Sequence, residues 1–246
     1  MLVLAALASA SARPARAQQF NSDNYLSKPP GVATLILTGG ERNDIFMFTF
    51  SLIPHWEFTT AAYIVNSDGD PRTDDGYSTT LYAKWMLYEN AAKTGGMAFK
   101  FGTGLDPGYL TEVGVQDGFR SFWMNAPFTL PFKNNTISLD LMPGVSYTAD
   151  YGENGAPAWA FTYSTRLAWY PSGPKLALVG EVFGAEGQLR SIPEYKTGLR
   201  WEPDQYVTIA LSYGQEFAGT HGAGAEAGLM LFTPPFFCLR GCHGAK

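Results

Sequence analysis

Histidine and serine are the residues to test first for catalytic chemistry, and the sequence offers little of it. The chain has 3 histidines. A serine hydrolase needs a histidine beside the nucleophile and an acid that orients the imidazole. No His-x-Ser or Gly-x-Ser-x-Gly pattern occurs, and neither His55 nor His221 has a nucleophile nearby in the sequence. We therefore expect no enzymatic activity and no catalytic residue.

The two cysteines are the next candidates for chemistry. Cys238 and Cys242 are the only cysteines of the chain, and an oxidising compartment favours a disulfide between them. The string from Cys238 to His243 is one residue longer than the Cys-x-x-Cys-His pattern of c-type haem attachment. We expect a small-loop disulfide and no cofactor, with metal binding or a pair of free thiols as the alternatives.

An acidic stretch lies between residues 66 and 75. Asp68, Asp70, Asp74 and Asp75 present oxygen atoms at spacings that a calcium loop can use. The stretch lacks the EF-hand pattern and the glutamate that closes such a loop. A solvated turn explains the acidic residues better, and we expect no metal site.

The remaining charged residues of interest lie in a pattern with a period of two. In the segment 158–170, large apolar or aromatic residues alternate with small or polar ones, among them Arg166. This period predicts a strand with two unlike faces. Trp159 and Trp169, at the two ends of the segment, are separated by roughly 25 Å in a tilted strand, about the height of the apolar band of a transmembrane barrel.

Similar alternation recurs along most of the chain. The predicted strands cover residues 32–39, 44–53, 55–66, 76–89, 96–104, 119–130, 135–149, 158–170, 174–185, 194–202, 205–216 and 224–233. Short connections alternate with mostly longer ones from the second strand onwards, which is typical of outer-membrane barrels. The pattern predicts an all-β fold, a closed antiparallel transmembrane β-barrel of about 12 strands, within a range of 10–14. Pro127 and Pro143 fall inside strands and predict β-bulges.

The N-terminal residues predict export. Residues 2–12 are small and apolar, and Ala15-Arg16-Ala17 fits a signal-peptidase cleavage site. The predicted parts of the chain are a signal peptide at 1–17, a periplasmic N-terminal segment at 18–31, the barrel at 32–233 and a periplasmic C-terminal tail at 234–246.

The composition agrees with a membrane barrel. Charged residues are 16% and aromatic residues 15%, and the chain has 27 glycines and a formal charge of -5. The absence of a basic patch argues against nucleic-acid binding. The alternation, tryptophan spacing, loop lengths and export signal resemble bacterial outer-membrane β-barrel proteins. That resemblance implies the outer membrane of a Gram-negative bacterium, contact with membrane lipid and lipopolysaccharide, and insertion by the barrel assembly machinery.

The predicted strand phases assign one set of residues to the interior and another to the lipid boundary. The expected lumen-lining residues are Glu57, Lys84, Lys100, Asp140, Arg166, Glu181, Lys196 and Arg200, joined by Glu226; the expected membrane girdle is Trp85, Trp159, Trp169 and Trp201. Charged groups inside a barrel need water or an opposite charge. We expect a porin-like narrow channel for small polar solutes. The alternatives are a structural or assembly barrel with a sealed, salt-bridged lumen, and an outer-membrane lipid enzyme.

Overall fold

The period-two segments form strands in the computed structural model of the chain, which describes residues 20–66, 75–106, 119–151, 155–219 and 221–236. The strands are β1 (Ala33–Gly40), β2 (Asn43–Phe50), β3 (Trp56–Val65), β4 (Gly76–Glu89), β5 (Gly96–Gly104), β6 (Ser121–Asn125), β7 (Phe128–Phe132), β8 (Ile137–Tyr151), β9 (Ala156–Trp169), β10 (Leu176–Gly187), β11 (Glu194–Trp201), β12 (Val207–Glu216) and β13 (Gly224–Phe232). Among these described residues, no helix is long and apolar enough to cross a membrane.

The strands form one antiparallel sheet that closes on itself. β1 pairs with β2 on one side and with β13 on the other, so the first and last strands join. β6 and β7 each pair with both β5 and β8, so these two short strands share one position in the sheet. The barrel therefore has 12 strand positions, which confirms the predicted fold class.

The two prolines inside strands do not produce the predicted bulges. β6 and β7 keep the same register against β8, from Asn125 opposite Gly144 to Phe128 opposite Leu141. Only the hydrogen-bonded ladder is interrupted at Pro127, because proline has no N–H to donate. Pro143 pairs with Tyr163 without a register change. The prediction of bulges at these prolines was therefore wrong.

Register shifts occur elsewhere in the sheet. One lies between Met86 and Tyr88 of β4, near the end of that strand. The other lies between Thr148 and Tyr151 of β8. Neither site carries a proline, so these two register shifts could not be predicted from the sequence. Bulges bend a strand locally and are common near the rims of barrels.

The two ends of the barrel differ in their connections. Short connections at 51–55, 90–95, 133–136, 170–175 and 202–206 share one end, which we call the turn end; the opposite end, which carries the connections at 66–75 and 105–120, is the loop end. β1 begins and β13 finishes at the turn end. The chain therefore enters and leaves the barrel wall on the same side.

The outer surface carries the apolar face of each strand. Leu81, Phe101, Phe122, Leu167 and Leu199 all point outwards with large exposed areas. A wide band of exposed apolar side chains is unusual for a protein in water and is what a lipid-facing wall requires.

Candidate functional site in the barrel interior

The interior of the barrel holds the charged residues. The structure buries every residue expected to line the lumen, Glu57, Lys84, Lys100, Asp140, Arg166, Glu181, Lys196 and Arg200, and also Glu226. Charges buried this deeply require opposite partners nearby. The arrangement of these charges therefore determines which of them are partners.

Four of these charges form a row across adjacent strands. In register order, Asp140 of β8 is opposite Arg166 of β9, Arg166 is opposite Glu181 of β10, and Glu181 is opposite Lys196 of β11. The signs alternate along the row. Arg166 donates from Nη2 to Asp140 Oδ2 at 2.7 Å, and Lys196 Nζ lies 2.9 Å from an oxygen of Glu226.

A second row crosses β3, β4 and β5. Glu57 is opposite Lys84, and Lys84 is opposite Lys100. Lys84 Nζ lies 2.6 Å from Glu57 Oε2. The row thus ends with two lysines as direct cross-strand partners, an arrangement that destabilises a sheet unless another charge intervenes.

The intervening charge comes from the N-terminal segment. Residues 18–31 were expected to lie in the periplasm, but the structure places residues 20–28 inside the barrel, and we call these residues the plug. Asp23 Oδ2 lies 3.2 Å from Lys100 Nζ and 3.5 Å from Lys84 Nζ. The expectation is wrong for the plug, because its polar groups pair with charged side chains of the barrel wall.

The plug contacts the first charged row as well. The backbone N–H groups of Asn21 and Ser22 both donate to the carboxylate of Glu181, the former at 2.9 Å. The hydroxyls of Ser22 and Ser164 are in direct contact. Lys196 donates to Asn21 Oδ1 at 3.0 Å. Polar contacts therefore hold the middle of the plug on both sides of the lumen.

The electrostatic position of Asp23 is unusual. Burial in the interior opposes ionisation of this carboxyl group, but the nearby ammonium groups of Lys84 and Lys100 outweigh burial and lower its pKa to about 2. The backbone N–H of Asn24 also donates to Asp23 Oδ1 at 2.8 Å. Asp23 is therefore a carboxylate at neutral pH.

Both ends of the plug lie towards the turn end. Phe20 packs against Ala168, Tyr170 and Ala177, which lie where β9 finishes and β10 begins. At the other end, the backbone N–H of Lys28 donates to Glu57 Oε1 at 2.7 Å. The plug is thus a loop that enters the lumen and returns towards the same opening.

The ring of Tyr25 fills part of the lumen near this opening. Tyr25 is almost fully buried, and its hydroxyl donates to Glu89 Oε1 at 3.4 Å. Gly96 leaves room for the ring, because a Cβ at that position would lie 2.5 Å from Tyr25 Cδ2. Below the plug, a cavity of about 470 Å³ opens at the turn end, and Leu26, Lys28, His55, Glu89 and Phe232 are among its lining residues.

Apolar and aromatic side chains occupy the lumen towards the loop end. Leu105 follows β5 and packs near Tyr63, and Leu189, from the connection between β10 and β11, packs against Ala158 and Ala185. All are buried. Together with the plug, they place buried side chains at two levels of the lumen.

A small polar cluster lies beside these residues. Asn125 donates to Asp106 Oδ1 at 3.0 Å, and Ser146 donates to Asp106 Oδ2 at 3.5 Å. The hydroxyl of Tyr63 and the indole N–H of Trp123 are buried, and neither has a hydrogen-bond partner in the described part of the chain. Such groups are costly unless something else satisfies them.

The tryptophans expected in the membrane girdle lie on the outer surface. Trp85, Trp159, Trp169 and Trp201 are all exposed on the barrel wall. Trp85 stacks on Trp56 with ring centroids 5.4 Å apart. Trp169 is the last residue of β9, whereas Trp159 lies near its start, so the two mark opposite ends of the barrel.

Several predictions fall outside the described residues. These are the signal peptide at 1–17, the disulfide between Cys238 and Cys242, and most of the acidic stretch from 66 to 75. In the described ranges, no group of three histidine, cysteine or acidic side chains has a geometry that holds a metal ion. His55 is exposed in a turn with a φ of 70°, and the backbone carbonyl of His221 accepts from Glu216 N–H at 2.9 Å.

Sequence reasoning missed the plug and the inward orientation of Trp123 near Lys100. The residues from Asn21 to Asn24 are short and polar, which is also the composition of a linker, so no periodic signal marked them. The strand that carries Trp123 has two nearly equally apolar faces, which hid the inward orientation of this residue. The excess of lysine over acid on β4 and β5 was the one available hint of a missing carboxylate.

Comparisons with solved structures identify the fold. An outer-membrane channel from Pseudomonas putida F1 superposes with a TM-score of 0.51 at 10% identity, covering 85% of this chain and 97% of that chain. The KdgM porin superposes with a TM-score of 0.54 at 8% identity, covering 81% and 98% of the two chains. No protein family matches the sequence, and no curated protein is similar to it. The fold is that of a porin-like outer-membrane β-barrel.

Proposed function

We propose that this protein is a narrow outer-membrane channel for small polar solutes and that the plug closes it at rest. The observation that carries the proposal is the nature of the contacts between plug and wall. Asp23, Asn21 and Ser22 meet the wall through ion pairs and hydrogen bonds. Water can replace contacts of this kind when a segment leaves, whereas an apolar seal would expose hydrocarbon.

The cost of buried charge also favours a passage over a permanent seal. Replacing buried ion pairs by well-packed apolar residues is often neutral or stabilising. A lumen that only had to hold the barrel in shape therefore gains little from two rows of charge. A lumen that fills with water when it opens needs polar walls, and the charged rows provide them. The two structural neighbours described above are themselves named a channel and a porin.

The second candidate function is a structural barrel with a sealed lumen. The observation in its favour is that Leu105 and Leu189 are buried towards the loop end while the plug residues are buried nearer the turn end. On this alternative, removal of the plug opens no path, because the loop end stays closed. The two functions therefore differ in one measurable quantity, the conductance of a barrel whose plug is free to move.

A disulfide that locks the plug tests the proposal. Ser22→Cys and Ser164→Cys place two thiols where the hydroxyls are in contact, in a background with Cys238→Ser and Cys242→Ser. In planar bilayers, we expect the oxidised protein to show no channel openings and the reduced protein to show them. A variant that lacks residues 20–28 is expected to remain open in either redox state.

The controls separate the lock from other effects. The Cys238→Ser and Cys242→Ser background and the single variant Ser164→Cys should respond to neither oxidant nor reductant. If neither the reduced protein nor the variant without residues 20–28 conducts, the channel is excluded and the sealed barrel stands.

The proposal includes a location and its partners. The exposed apolar wall and the girdle tryptophans, Trp159 and Trp169 among them, suit the outer membrane of a Gram-negative bacterium. There the barrel would contact lipid and lipopolysaccharide and be inserted by the barrel assembly machinery. The function is one of passage, without a catalytic step. Fractionation of a native host, with antibody detection in outer-membrane vesicles, tests the location.

A further inference from the structure

Among the described residues, the cation pair on β4 and β5 has an incomplete set of partners on the barrel wall. Lys84 and Lys100 are direct cross-strand partners, and both are buried. The ammonium groups of two cross-strand lysines repel each other strongly in a region of low dielectric constant. An anion close to both ammonium groups removes this repulsion.

The wall supplies that anion to one lysine, and the plug supplies it to the other. Lys84 contacts Glu57 of β3 at 2.6 Å. The carboxylate that Lys100 contacts, at 3.2 Å, belongs to Asp23. By contrast, Arg166 and Lys196 contact carboxylates of other strands of the wall, which remain in place when the plug moves.

Aromatic side chains surround Lys100. The ammonium lies 4.8 Å from the ring centre of Tyr82 and 5.7 Å from that of Trp123. These two residues lie on the loop side of the lysine pair, and their ring centres are 5.3 Å apart. Trp123 also has a buried indole N–H that contacts no hydrogen-bond acceptor among the described residues. Aromatic faces with a few polar donors are typical of sites for small polar ligands.

We infer that Lys84 and Lys100 form a binding site for the carboxylate of a solute and that Asp23 occupies this site while the channel is closed. The inference rests on the proposed channel function and names its substrate class, small organic carboxylates. A solute carboxylate competes with Asp23 for the same two ammonium groups, and the rest of the solute lies against Tyr82 and Trp123. Arrival of such a solute thereby favours release of the plug.

Rescue by formate tests the anion site without any need for conductance. Asp23→Ala removes a group of the size and charge of formate from beside the two lysines. We expect this variant to unfold at a lower temperature than the wild type and formate to restore its melting temperature in a saturable way. Formamide, which is neutral and similar in shape, should not restore it.

Two controls show whether formate acts at the lysines. Wild-type protein should not gain stability from formate, because Asp23 already fills the site. Asp23→Ala combined with Lys100→Met should not be rescued, since a lost charge-assisted hydrogen bond lowers affinity by about ten- to a hundredfold. Asp23→Gly, which also leaves room for formate, serves as a second variant if Asp23→Ala does not fold. Failure of formate to rescue either folded Asp23 variant overturns the inference.

Solute flux links the anion site to passage. In proteoliposomes, we expect glucuronate to enter faster than glucose, a ring of similar size without the carboxylate, and Lys100→Met to remove this preference. Equal entry of the two sugars in the wild type overturns the inference and leaves the channel standing. Rescue by formate without flux of either sugar in any variant rejects the channel and reduces the lysine pair to a structural ion-pair site, which also overturns the inference.

Discussion

Arg166 and Asp140 are direct cross-strand partners that share a two-donor contact inside the barrel. Nε and Nη2 of Arg166 donate to the same oxygen, Asp140 Oδ2, at 3.0 and 2.7 Å. The other oxygen of Asp140 accepts from Thr129 at 2.6 Å. This cluster joins β7, β8 and β9 at one level of the wall, and both charged residues are almost completely buried. It belongs to the wall and not to the plug, so it is present whether the lumen is open or closed.

Removing one partner of this pair should destabilise the barrel. Arg166→Met leaves the Asp140 carboxylate buried without its cation, and loss of one partner of a buried ion pair costs about 3–5 kcal/mol. Urea unfolding in detergent or lipid measures the change. The matched control is Arg120→Met, whose contact with Asp150 is 3.7 Å long and lies on the surface; it should change the free energy of unfolding little. Equal losses in the two variants would show that the interior pair contributes no more than a surface one.

Strand positions could be predicted from the sequence because the two faces of each strand carry different types of residue. β4 and β5, at Gly76–Glu89 and Gly96–Gly104, coincide with the predicted ranges, since alternation marks the wall residue by residue. The same alternation assigned Arg166 and Lys100 to the interior. Which charges meet depends on the register between strands, and single-strand patterns do not contain it.

The plug could not be predicted by the same reasoning. Its residues, from Phe20 to Lys28, form no regular strand, and their stabilising contacts are to residues far along the chain, such as Glu181. The effect of Pro127 was also misjudged. A missing N–H was expected to shift the register, but neighbouring pairs on both sides of the strand hold the register in place.

The lipid-facing wall makes a depth-dependent prediction. Leu81 and Tyr77 point outwards from the same face of β4, Leu81 near the middle of the strand and Tyr77 at the loop end. Leu81→Arg should cost about 2–4 kcal/mol of barrel stability, whereas Tyr77→Arg should cost only about 0–1 kcal/mol, because the charge lies near the membrane surface. Unfolding in lipid vesicles measures both. A larger loss for Tyr77→Arg than for Leu81→Arg would place the membrane at a different level of the barrel.

The packing of Phe20 against the barrel wall predicts how strongly the plug is held in the lumen. Phe20 is buried against Ala168, Tyr170 and Ala177, and truncation of a buried phenylalanine costs about 3–5 kcal/mol. Phe20→Ala should therefore increase the fraction of time that the channel is open in a planar bilayer. Phe132→Ala, on the outer surface at the turn end, is the control and should leave that fraction unchanged. No change on truncation of Phe20 would show that the polar contacts alone hold the plug.

Acid should release the plug only at very low pH. The pKa of Asp23 falls from 3.8 to about 2, since Lys84 and Lys100 outweigh the effect of burial. A carboxyl group whose pKa is lower when the plug lies inside the lumen stabilises that state fully above about pH 4. This stabilisation is lost as the pH falls through about 2. The other acidic groups that contact the plug in the described part of the chain are Glu57, Glu89 and Glu181. We expect the open fraction in a planar bilayer to stay constant from about pH 7 to about pH 4 and to rise towards pH 2.

Asp23→Asn removes this carboxyl group, so its open fraction should be higher at neutral pH and should rise less on acidification. A wild-type transition centred near pH 5 would mean that another group, and not Asp23, controls whether the plug stays inside the lumen.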